Sequence, residues 1–240
     1  MDSKKKIARI AGLLYLIVVL SGIFHLMYVP SKLIESDNHS VTISNIIASE
    51  TLFRLGILGG LICYTSFLLL PLILYKLLSP VNKTHAVLMV TLAVVSVPIS
   101  FVNMLNKFAV LTLLSKAKYL SVFEVDNLQA QVLLYLDYYR NGNQIASIFW
   151  GLWLFPFGYL VFKSGFLPKV LGILLMVGCI GYIIDFMGIF LFSNYSETGI
   201  STYLSIPGSL GEIGICLWLL IIGIKVNRNS LATITTASTK

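Results

Sequence analysis

The sequence predicts an all-α polytopic membrane bundle of about six transmembrane helices in three hairpins, with an outer interfacial amphipathic helix. Three observations carry that prediction. Of the 240 residues, 57% are hydrophobic and only 11% charged, against about 25% charged in a soluble domain. The mean hydropathy is +0.89, and the apolar runs reach about 20 residues, enough to cross a bilayer core of about 30 Å at about 1.5 Å per residue. Basic residues gather at alternate ends of these runs. Such a composition excludes secreted, fibrous, disordered and ordinary cytosolic enzyme classes.

The predicted spans cover 10–29, 52–75, 86–114, 143–162, 167–192 and 204–226. The first follows Lys4-Lys5-Lys6 like a signal peptide, but its apolar run is too long and no small-residue cleavage site follows, so it is read as a retained helix. The third is overlong and holds Pro98, Asn103, Asn106 and Lys107, which predicts a tilt or kink. With the N-terminus inside, 11 of the 17 Lys and Arg residues fall on the inner side. The positive-inside rule then places both termini in the cytoplasm of a multi-pass cell-membrane protein. A single membrane domain is expected over 1–228, followed by a disordered polar tail over 229–240, rich in Ser, Thr and Ala.

Inner connections are short, as in Ser79-Pro80-Val81-Asn82-Lys83, whereas outer ones carry pattern of their own. Ser121-Val122-Phe123-Glu124 has capping-box spacing, and Leu128, Val132, Leu136 and Tyr139 follow at helical intervals. This predicts an interfacial helix over 121–140, ended by Asn141-Gly142-Asn143. A weaker helix is expected over 41–50.

Chemistry is sparse. Cys63, Cys179 and Cys216 lie in apolar runs without metal-ligand spacing, and His25, His39 and His85 are dispersed across the topology, so no metal or cofactor is expected. Phosphate-cradling glycine loops and a nucleophile elbow are absent from the sequence, and the scattered basic residues speak against nucleic acid. Glycines at 56, 59, 60, 178, 181, 208 and 211 are read as sites of close helix contact.

Asp185 and Glu212 are the two clear intramembrane carboxyls, each about 10 to 12 Å deep from the outer side. The same half collects His25, Arg54, Asn103, Asn106 and Lys107, and the inner half is nearly free of charge. These seven residues are the candidate ligand-binding set. Two readings stand: an outer-facing vestibule for a small or lipid-like ligand, or ion pairing of Asp185 and Glu212 with Arg54 or Lys107 that holds helices together. A membrane-embedded enzyme acting on an outer-leaflet lipid, and a structural or assembly subunit, are the alternatives. No catalytic motif is complete. The expected partner is the lipid bilayer, and the oligomeric state has no signature.

Several blocks together resemble a known family. They are Ala8-Arg9-Ile10-Ala11-Gly12-Leu13-Leu14-Tyr15-Leu16, Leu52-Phe53-Arg54, Lys163-Ser164-Gly165-Phe166-Leu167-Pro168-Lys169, Gly181-Tyr182-Ile183-Ile184-Asp185, and Gly211-Glu212 followed by Cys216-Leu217-Trp218-Leu219-Leu220. Their order and spacing resemble the bacterial integral membrane proteins catalogued as domain of unknown function 4386. The resemblance implies a multi-pass membrane protein with no assigned activity, and it places Arg54, Asp185 and Glu212 inside family-like motifs.

Overall fold

The computed structural model describes residues 3–35, 38–115 and 117–224; the expected tail over 229–240 lies outside the described residues. Among the described residues, six helical spans are long and apolar enough to cross a membrane. The first is composite: α1 (Ser3–Ile23), a π-helical turn (Phe24–Tyr28) and α2 (Val29–Leu33). A short surface helix, α3 (His39–Ala48), leads into α4 (Glu50–Leu78) and α5 (Lys83–Leu114). The fourth span joins α6 (Val125–Leu152) to α7 (Leu154–Lys163), and α8 (Lys169–Leu191) and α9 (Ile200–Ile221) complete the bundle.

The spans form a closed ring in chain order. Each packs on the next, and α9 returns to α1. Six crossings leave both ends of the described chain on one face, the near end, where Gly223 abuts Lys5. The glycines are the points of closest approach: a methyl group on Gly12 would strike the backbone of Leu219 and Leu220, and Gly178 and Gly208 meet across α8 and α9. In lipid there is no hydrophobic gain from pairing two apolar helices, so van der Waals contact between close backbones must hold them. Gly158 and Gly172, absent from the glycines singled out in the sequence, do the same between α7 and α8.

The fourth span fills the middle of the ring. Trp153, 1% exposed, meets Phe67 edge-on with ring centroids 5.1 Å apart, Phe157 in a stack at 5.0 Å and Tyr15 at 6.2 Å. The helix breaks at Trp153, three residues before Pro156, whose missing N–H removes a ladder hydrogen bond.

Two expectations about elements change. The segment from Val125 is helical, but Asn141-Gly142-Asn143 does not end it, and α6 continues into the membrane as part of the fourth span. Asn103 of α5 packs directly on Gly142, so this glycine serves close approach and the surrounding packing keeps the helix intact. Ser121 caps nothing: its Oγ donates to the carbonyl of Lys118 within a 3₁₀ turn (Lys118–Val122), and Glu124 occupies the N-cap position. The overlong third span is present as α5, 32 residues long, with Pro98 inside it. The weaker helix expected over 41–50 is present as α3, with the Asn38 side chain accepting from the Val41 amide.

Gly12→Ala should lower stability by about 1–3 kcal/mol, the usual range for forced overpacking. Gly22→Ala, where a methyl meets only Cys63 Sγ at 3.7 Å, should be neutral or gain up to about 1 kcal/mol from helix propensity. Thermal unfolding of the two variants in the same detergent checks the contrast.

Candidate functional site

Two cavities between the spans, among the described residues, gather candidate side chains. The first, about 230 Å³, is lined by Tyr15, Tyr64, Phe67, Trp150, Tyr182 and Glu212 among others. It sits directly on the aromatic plug, since Tyr15 and Phe67 belong to both. Glu212 supplies its carboxyl, whose Oε1 accepts a hydrogen bond of 3.0 Å from the Tyr15 hydroxyl. Gly151 is what admits Tyr182, because a side chain there would collide with the tyrosine Cβ. Contact between the first and sixth spans concentrates at and below this level, where Gly12 meets Leu219 and Leu220, and Tyr15 meets Glu212. Beyond it the lining includes the exposed residues Ile23, Ser209 and Ile213, so the seam between these two spans bounds the cavity on its lipid side.

The second cavity, about 270 Å³, lies nearer the far end, between the first, second, third and fourth spans. Leu26, Val29, Leu33, Phe53 and Leu136 give it apolar walls, and Lys107, Asp137, Arg140 and Asn143 its polar groups. Lys107 is 4% exposed. Its Nζ lies 4.2 Å from the centroid of the Tyr139 ring and 5.8 Å from that of Phe53. An ammonium in hydrocarbon costs roughly 2.5–3.5 kcal/mol on insertion scales, and cation–π contact returns about 0.5–2 kcal/mol of that. Asp137 is already engaged with Arg140 at 3.0 Å.

His25 stands in the wall beside both cavities. It is fully buried in the π-helical turn, edge-on to Tyr64 at 5.3 Å, and neither imidazole nitrogen has a hydrogen-bond partner among the described residues. The turn has a local cause. Val29 N–H bonds five residues back to the Phe24 carbonyl, and the next residue, Pro30, has no N–H to continue the normal ladder. Gly59 and Gly60 on α4 make room for Phe24 and His25. Leu26, on the same turn, lines both cavities.

The remaining candidates separate. Arg54 is not a counter-charge for the intramembrane carboxyls: it is exposed and pairs with Glu50 one turn earlier, at 2.6 Å. Asp185 and Glu212 do not share a depth. Because α9 begins at Ile200, four residues before the expected start, Glu212 lies about 18 Å along a helix of about 33 Å, while Asp185 is about 9 Å from the far end of α8. Tyr182 is within electrostatic reach of both. Asp185 is instead close to Tyr195 in the α8–α9 connection, whose phenol is held above its ordinary value by burial and by that carboxylate. Asn103 and Asn106 are occupied within the bundle: Asn103 Nδ2 donates to the Tyr139 carbonyl at 2.9 Å and to Asn143 Oδ1 at 3.0 Å, and Asn106 donates to Asn103 Oδ1.

The comparisons with known proteins agree with this architecture. The family model described as "Domain of unknown function (DUF4386)" matches residues 10–223. The chain belongs to that family. An uncharacterized protein of the archaeon Archaeoglobus fulgidus (strain ATCC 49558) is 40% identical over 84 residues, a stretch covering 35% of this chain and 47% of that protein. No solved structure matches. The six apolar spans among the described residues mark the chain as a multi-pass membrane protein.

Asn103→Leu should destabilise the bundle by about 1–3 kcal/mol, since the Tyr139 carbonyl and two amide side chains lose buried partners. Arg54→Ala, which breaks only an exposed pair, should cost less than about 1 kcal/mol. Thermal unfolding in parallel distinguishes them.

Proposed function

We propose that the protein binds or moves a small, lipid-like ligand through the Glu212 cavity, in a cell membrane with both termini cytoplasmic and the far end outside. The observation that carries this reading is the Glu212 carboxyl, held by Tyr15 at one side of a cavity whose walls combine aromatic rings with aliphatic side chains. A carboxylate facing aromatic rings suits a positively charged head, attracted by both the carboxylate and the ring quadrupoles. An alkyl chain on such a ligand can leave through the seam between the first and sixth spans into the bilayer, which favours an amphiphile over a fully water-soluble solute. The excess of basic residues on the near side supports the orientation.

Trp150 lines the cavity and reports its occupancy. Decyltrimethylammonium titrated into protein held in a lipid nanodisc should change tryptophan emission saturably, and Trp150→Phe should remove most of that change. Glu212→Gln should weaken binding about tenfold or more, a loss of at least about 1.4 kcal/mol. Unchanged affinity in a folded Glu212→Gln protein would refute the reading.

Orientation is tested separately. Reporter domains fused after Leu78 and after Lys163 should both be cytoplasmic; a signal from the opposite side at either position reverses the assignment.

A further inference from the structure

We infer that the second cavity is a site for an anionic amphiphile, a carboxylate or phosphate head bearing an alkyl chain, with Lys107 as its anchor. The inference does not rest on the Glu212 reading, because the residue, the cavity and the sign of charge all differ. Lys107 is nine-tenths buried and lines the cavity. Among the described residues no carboxylate lies within ion-pair distance of its Nζ; the aromatic faces of Tyr139 and Phe53 are its neighbours instead. Asp137, the acid in the same lining, is paired with Arg140. His25, close enough to Lys107 to interact with it electrostatically, brings no negative charge. The cavity therefore holds a cation without an anion, and an incoming oxyanion would complete the pair while the amide of Asn143 remains at hand in the lining.

The walls specify the rest of the ligand. Leu26, Val29, Leu33, Phe53 and Leu136 offer no polar side-chain group to a water-soluble anion. A volume of about 270 Å³, beside the roughly 150 Å³ that accepts a benzene ring, takes the head and the first several carbons of a chain. The chain confers affinity by burying apolar surface, and the lysine confers selectivity for negative charge.

The test uses the full chain in nanodiscs of zwitterionic lipid with radiolabelled decanoate as the probe. Decanol serves as the chain without charge, and acetate and inorganic phosphate as charges without a chain. Decanoate should bind saturably and raise the melting temperature by several degrees. Unlabelled decyl phosphate should displace it, and decanol, acetate and phosphate should do so at least tenfold less well. Lys107→Met should lose at least tenfold in decanoate affinity, Lys107→Arg should retain most of it, and Glu212→Gln should leave it unchanged. Should Lys107→Met fail to fold, Lys107→Gln takes its place with the same expectation. The proposal is overturned if decanol competes as well as decanoate, if acetate or phosphate alone does, or if the charge-free Lys107 variant binds decanoate normally.

Discussion

The ring of spans depends on what fills its centre. Six helices packed only on their neighbours would enclose a void, and lipid supplies no hydrophobic pressure to collapse it. Trp153 and Phe157 of the fourth span, with Phe67 and Tyr15 from the second and first, close that space by direct contact across the ring. Each atom pair contributes little, yet a buried ring makes dozens of them. The boundary between α6 and α7 falls at Trp153 itself, the residue whose ring enters the core. The plug also decides where the first cavity begins.

The two cavities present unlike groups, a carboxyl in one and a buried ammonium in the other. Glu212 sits near mid-span on the sixth helix with a tyrosine hydroxyl as its partner, and Lys107 sits nearer the far end on the third with aromatic faces around it. Ion pairing between the two would have neutralised both and left a bland core. Instead, Leu26 contributes to both cavity walls, and His25 packs edge-on against Tyr64 of the first cavity within electrostatic reach of Lys107 in the second. The π-helical turn of the first span holds these two residues in adjacent positions, so a local irregularity in hydrogen bonding separates two sites of unlike character.

Much of the architecture was legible because it follows from local composition. Apolar length marks a span wherever it occurs, and the short connections impose hairpins. Element ends were less legible: the motif Asn141-Gly142-Asn143 has strong turn propensity, but the approach of Asn103 to Gly142 is a long-range contact that no local pattern encodes. The candidate site divided along the same line. Glu212 and Lys107 announce themselves as charges in hydrocarbon, whereas Tyr15, Tyr182 and Trp150 look like ordinary apolar filler until distant spans converge. Arg54 misled because depth suggested a partner across the bundle, while Glu50 was available one turn away on the same helix face. The π-helical turn has only Pro30 as a local hint.

A ring that follows chain order has consequences for its own synthesis. Five of its six seams join helices that leave the ribosome one after another, so they can form as each hairpin arrives. The sixth seam joins the first span to the sixth, and it cannot exist until all six spans have been made. Before that moment the bundle is an open trough, with Tyr15 and Trp150 on an unfinished wall and the acid of the first cavity still to come. No nascent form of the protein carries a complete Glu212 cavity; that cavity is created, all at once, by the closing helix.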